Sequence, residues 1–377
     1  MSDWLGRDFG AYVPNHVTNR FRHPVNEETD KVQHALNTAL RHTRDLKIVT
    51  GYSSLETVIT TLVSKCEVGS TLYFRANDGT NGYELWKSDG TTNGTVMVKD
   101  MYSGSSGSIP SFLTAIGSTL YFKANDGTNG EELWKSDGTA SGTVMVKDIN
   151  SGSGSSGPNH LAAVGSTLYF SASDGTNGGE LWKSDGTASG TVMVKDIISG
   201  SGSSSPDYLT AVGSTLYFEV GGTLWKSDGT ASGTVMVKDI SSVKYITAVG
   251  STIFFSANDG TNGSELWKSD GTASGTVMVK DIWIGMDSSA ISTLTAIGNT
   301  LYFRARDGIH GYEMWKSDGT SSGTVMVQDF YSGYEDGLHT NPSFVAIGDT
   351  LFFTVRDITN GHQVWTNQSV YTEVTYS

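Results

Sequence analysis

The string Lys-Ser-Asp-Gly-Thr-Ala-Ser-Gly-Thr-Val-Met-Val-Lys-Asp-Ile occurs four times unchanged, beginning at Lys135, Lys183, Lys226 and Lys268. Looser copies begin at Lys87 and Lys316, and a decayed one lies near Thr366. Such a chain is a tandem array, in which each copy is a unit that buries its apolar surface only against its neighbours. The element Gly-Ser-Thr-Leu-Tyr-Phe marks the period. It begins at Gly69, Gly117, Gly165 and Gly213 and returns with small changes at Gly250, Gly298 and Gly348, so the spacings are 48, 48, 48, 37, 48 and 50 residues. Trp86, Trp134, Trp182, Trp225, Trp267, Trp315 and Trp365 occupy one position of the unit, which sets the count at seven.

Each unit reads as four short strands. In the clearest copy, Phe112–Ile116 is apolar and runs into Gly117-Ser118, a two-residue hairpin signal. Thr119–Ala124 is rich in β-formers. The Asn-Asp-Gly-Thr-Asn-Gly stretch that follows is turn chemistry, with Gly for positive φ and Asn and Asp to bond their own backbone. Glu132–Lys135 is the third strand and Thr143–Asp148 the fourth, separated by the Asp-Gly-Thr-Ala-Ser-Gly loop. Apolar groups fall on both faces of these strands, so each sheet needs a neighbour front and back. The expectation is an all-β fold, a seven-bladed β-propeller of four-stranded antiparallel blades over residues 61–377. The first strand of unit one has to come from Thr61–Val68.

Residues 1–60 are a different style of chain. Val32, Ala35, Leu36, Ala39 and Leu40 repeat at helical spacing, Leu46–Thr50 reads as a strand, and Ser53-Ser-Leu-Glu56 is a capping box opening a second helix. The expected N-terminal segment is helix–strand–helix, a truncated α/β fragment.

The residues Glu-Leu-Trp-Lys-Ser-Asp-Gly-Thr, at Glu84–Thr91, Glu132–Thr139, Glu180–Thr187 and Glu265–Thr272, resemble the ELWxxDGT repeat of bacterial multi-repeat proteins. Unit four departs from it, with Thr223 in place of the Glu, and unit seven has no Asp-Gly-Thr. The resemblance implies a propeller of a kind often secreted or surface-attached, with no activity common to the family and no catalytic residues to carry over. Leu46, Ile48, Thr50, Gly51 and Tyr52 resemble the start of the phospholipase-D-like domain of bacterial helicases. That family's His-x-Lys motif is missing, because none of the eight histidines is followed two residues later by Lys.

The net charge of −14 lies on the repeats, which argues against a nucleic-acid partner. No apolar run is long enough to span a membrane. Met1-Ser-Asp-Trp-Leu-Gly-Arg-Asp carries no apolar signal-peptide core, so the cytoplasm is the expected compartment, against the habit of the repeat family. The single Cys66 excludes an internal disulfide. A monomer is the favoured state.

No nucleophile–base or metal-ligand motif is present, and the expectation is no catalytic residue, no metal and no cofactor. A calcium site in the Asp-Gly-Thr loops would need more oxygen ligands than one carboxylate, so the Asp is read as an Asx turn. The Trp column is read as inter-blade packing, and the Glu before it as a structural partner of a Lys on the next strand. Where near-identical units differ, function is expected. The loops from fourth strand to next first strand vary most, and the large side chains in them, Trp283, Met286, Tyr331, Tyr334 and Glu335, are the candidate contacts. The first functional reading is a non-catalytic binding or scaffold propeller that presents these loops to a protein or glycan. The alternatives are an enzyme, through a phospholipase-D-like remnant or a hydrolase site in the propeller channel, and a gene-fusion product with no selected function.

Overall fold

The computed structural model describes residues 64–338, 344–357 and 361–367. The expected N-terminal helix–strand–helix segment lies outside them. The described residues are all-β and fold into seven antiparallel sheets. Six have four strands and the seventh has three, each in simple sequence order. First strands of successive sheets lie side by side from sheet one to sheet six. This is the order expected of a seven-bladed β-propeller, and we call the sheets blades 1 to 7. The first strand of blade 1 is Lys65–Val68, at the end of the stretch expected to supply it.

The strands form where the repeat alternates apolar residues. In blade 3 they are Asn159–Val164, Thr167–Ser173, Gly179–Ser184 and Val192–Lys195. The hairpin between the first two is closed by Gly165 at φ 60°, a conformation that disfavours any residue with a Cβ. Both faces of a blade are then covered. Tyr121, Leu133 and Val146 of blade 2 pack on Leu168, Phe170, Ala172 and Trp182 of blade 3. The same residue types recur between blades 1 and 2 and between blades 5 and 6.

The Trp column packs as expected. Trp182 is 6% exposed, and Trp86, Trp134, Trp267 and Trp315 are equally buried. Lys147 of the preceding blade lies 5.9 Å above the Trp182 ring and donates to Thr191 O at 2.9 Å. A second lysine, Lys135, donates to Gly186 O, also in blade 3, at 2.9 Å. Each four-stranded blade from 1 to 5 thus reaches its successor with two lysines that end on backbone carbonyls rather than on carboxylates. Carbonyls left over at a loop are satisfied this way without burying a second formal charge.

Candidate functional site

One carboxylate organises most of the face that carries the loops from fourth strand to next first strand. In blade 3, Glu180 is fully buried. It accepts from Ile197 N at 2.8 Å, Ser204 N at 2.9 Å and the Ser204 hydroxyl at 2.6 Å. Glu84, Glu132, Glu265 and Glu313 do the same in their blades, each holding amides 17 and 24 residues downstream. This corrects the expected Lys partner. The Glu of the repeat is the foundation of the variable loop. Desolvation pushes the Glu84 and Glu132 carboxyls above their usual value, against the amide and hydroxyl donors. In blades 5 and 6 the rise is larger. Glu265 goes up to about 7, with Asp281 adding to burial, and Glu313 goes up to about 7, with Asp329 and Asp336 adding to it.

The Asp-Gly-Thr loops on the opposite face are self-satisfied. Asp137 accepts from the Thr139 hydroxyl at 2.7 Å and the Thr139 amide at 2.8 Å, and these bonds hold its carboxyl below the usual range. Among the described residues no group of three or more His, Cys, Asp or Glu stands together as a metal site. No described helix is long and apolar enough to cross a membrane.

The five candidate contacts are spread over two loops. Trp283 lies against Gly308, whose absent Cβ would fall 2.6 Å from the indole nitrogen, and Arg306 stacks on its ring at 4.7 Å. It covers the turn of the next blade. Tyr331 occupies the same position of its unit and is half-buried. Met286 and Tyr334 are 85% and 81% exposed. Glu335 is exposed, and its backbone carbonyl lies against Gly311. Both loops lean on the same turn of blade 6, Trp283 at Gly308 and Glu335 at Gly311.

The structure also brings together a set that reading the sequence missed. Five residues before each hairpin glycine, the first strand carries a residue in the left-handed region: Phe112 (φ 55°), His160 (φ 54°), Tyr208 (φ 51°), Tyr245 (φ 59°) and Thr293 (φ 55°). The register of every one of these strands shifts there, in a β-bulge. Such a conformation costs a residue with a Cβ about 1–2 kcal/mol. Because the first strands run side by side, the bulged side chains meet in an arc. Phe112 and His160 have ring centroids 5.9 Å apart. His160 Nδ1 is 3.0 Å from an Asp207 carboxylate oxygen. Tyr208 and Tyr245 meet edge to face at 5.5 Å. The arc is at the start of the first strands, the end next to the variable loops. The available signal was that Phe, His, Tyr, Tyr and Thr stand at one position of nearly identical units, but their left-handed backbone has no residue signature.

No protein-family model matches the chain, and no curated protein matches it in sequence. The solved structures do give likenesses. A prolyl endopeptidase, from a study of inter-domain dynamics in catalysis and specificity, aligns with a TM-score of 0.52 at 11% identity, over 94% of this chain and 55% of its own. Prolyl oligopeptidase B from Galerina marginata, bound to a 35mer hydrolysis and macrocyclization substrate, aligns at 0.51 and 11% identity, over 91% of this chain and 53% of its own. The chain therefore spans about half the length of the solved structures it matches. At this identity the likeness shows the fold. It corrects the expectation of a non-catalytic binding or scaffold propeller for a protein or glycan: the two solved structures named above are peptidases, and the enzyme-related alternative accounts for that better.

Proposed function

We propose that this chain is a hydrolase-associated propeller, serving a catalytic unit that the described residues do not include. The observation that carries this is the reach of the likeness: more than nine tenths of this chain align with about half of a peptidase. The arc of Phe112, His160, Tyr208 and Tyr245 is the surface we assign to contact with the substrate. It runs along the neighbouring first strands, and its rings are partly exposed.

Within this reading the seven sheets close into a ring. Phe74, Ala76 and Trp86 form the face of blade 1 that blade 7 would cover, and they are as buried as their counterparts in the other blades. The likeness of Glu84–Thr91 and its copies to ELWxxDGT arrays belongs to the same proposal.

The test is to capture the tagged chain from its source cells under native conditions and to assay the captured material with a panel of fluorogenic peptides. Peptide hydrolysis is expected to copurify with the chain and to be absent from the recombinant chain alone. Cleavage by the chain alone, or a captured assembly inert toward every peptide, would overturn the proposal.

A further inference from the structure

Blade 6 carries two arginines whose Nε atoms the fold leaves without acceptors. Arg304 and Arg306 are two residues apart at the end of its second strand and project to the same side of the sheet. Arg304 is 5% exposed. Its guanidinium carbon lies over the Tyr312 ring, 3.3 Å from the centroid, and that of Arg306 lies 4.7 Å from the Trp283 ring and 5.2 Å from the Tyr312 ring. The Nε atoms of both are buried and have no hydrogen-bond partner among the described residues, nor has the hydroxyl of Ser292. Ser292 stands directly across the ladder from Arg304. Asp336, the carboxylate whose field reaches Arg304, accepts from the Tyr312 amide at 3.0 Å and forms no ion pair with either arginine.

Blade 1 repeats the first of these arginines: Arg75 lies over Tyr83 at 5.6 Å, and its Nε too is buried without a partner. The second arginine sets blade 6 apart, and the remaining blades show how the fold treats these two positions otherwise. Blade 2 has Lys123 at the Arg304 position and Glu131 at the Tyr312 position, and the two pair at 2.9 Å. Blades 3 and 5 have Ser171 and Ser256 there and bury no charge. At the Arg306 position, blades 1, 2 and 5 have Asn77, Asn125 and Asn258, each of which accepts an amide of the following turn at 2.6–2.7 Å. Blade 6 has exchanged that cap for a second guanidinium. Two like charges side by side, one nearly buried and both with idle donors, are costly unless an anion meets them. The Tyr312 side chain hydrogen-bonds the Arg304 guanidinium, but the ring faces supply no acceptor to either Nε.

We propose that Arg304, Arg306 and Ser292 form an oxyanion site, walled by Tyr312 and Trp283, for a carboxylate or a phosphate group. The planar guanidinium presents paired donors to either oxyanion. The site is a local positive spot on a chain of net charge −14, so it selects a small anionic group rather than a polyanion. The proposal is independent of the hydrolase association.

The test is titration calorimetry at low ionic strength, where surface charge is least screened. The probes are inorganic phosphate and acetyl-dialanine with a free carboxylate, with acetyl-dialanine amide as the blank. One of the two anions is expected to bind, and which one does identifies the source. Arg304→Gln with Arg306→Gln should weaken it about tenfold or more. Lys123→Gln, which removes a cation already paired, should leave the affinity unchanged. Tyr312→Glu guards against misfolding of the double variant. It copies the pair of blade 2, so it should abolish binding while the melting temperature holds or rises. Three results would each overturn the proposal: no heat from either anion at about 10 mM, equal response to chloride, or full binding by Tyr312→Glu.

Discussion

Blades 3 and 4 share the fifteen-residue string without a change, yet one carries the long loop and the other does not. Blade 3 has Glu180 before its Trp, a five-residue turn from Asp174 to Gly178 and a loop from Asp196 to Pro206. Blade 4 has Thr223, a tight turn at Gly221-Gly222, and a fourth strand that passes almost directly into Ser241–Val249. The longer turn, the loop and the carboxylate are absent together. The reason is physical. The loop lies on the turn, with Ser205 N donating to Gly179 O at 2.9 Å, and the Glu fills the space between. A buried carboxylate without loop amides would be an uncompensated charge. Thr223 instead bonds Val220 O at 2.7 Å and accepts from the Trp225 indole at 2.9 Å, a donor that Trp182 leaves unpaired. The lesson is that this repeat holds two linked modules, a constant frame and a detachable loop whose anchor is a single side chain.

The sharpest test of the constant frame is Trp182→Ala, which should cost about 3–5 kcal/mol. The same change at Trp225, half-buried in the short blade, should cost less. Denaturant titration compares them, and equal losses would mean that blade 4 packs no differently. Next comes the anchor. Glu180→Ala leaves two amides and a hydroxyl without their acceptor and should cost about 3 kcal/mol. Hydrogen exchange should rise at Ile197 and Ser204 before it rises in the strands. The converse change, Thr223→Glu, restores the repeat motif yet should destabilise by about 2 kcal/mol, because no loop amide is there to receive the charge. If it stabilises, the Glu serves the frame and not the loop.

The smallest effect separates blades 5 and 6 from the rest. In the fold Glu265 and Glu313 keep their protons up to about 7, against 4.5 for an unperturbed carboxyl. Between those values the folded chain binds more protons than the unfolded one, so stability present at pH 4.5 falls as pH rises toward 7. The melting temperature should drop between pH 5 and pH 8. A rise over that range would place the ionised form as the favoured one and assign the latch energy to its amide donors.

Much of the frame was legible before any coordinates. Spacing gave the seven units, alternation the strands, and the invariant Trp its buried column. Cys66 and Val68 mark a first strand for blade 1 that only the repeat count demanded. The site was less legible, for definite reasons. Glu180 meets amides 17 and 24 residues away, and backbone amides leave no letter in a sequence. Trp283 stood out as a large side chain in a Ser/Gly loop, but that it lies against a glycine turn of the next blade has no signature in the sequence. The arc escaped because it depends on a bulge that puts His160 and Tyr208 where ordinary pleating would not. Arg304 and Arg306 were visible as letters, but only the missing acceptors give them meaning.

The bulge has one more consequence. The backbone takes the same left-handed turn under Phe112, His160, Tyr208, Tyr245 and Thr293, although the side chains range from a phenyl through an imidazole and phenols to a small hydroxyl. The socket is therefore indifferent to what is plugged into it. A lineage can re-letter the rim one blade at a time without disturbing strand register, and an experimenter can do the same. Saturation at these five positions would yield a family of rims on one unchanged chassis.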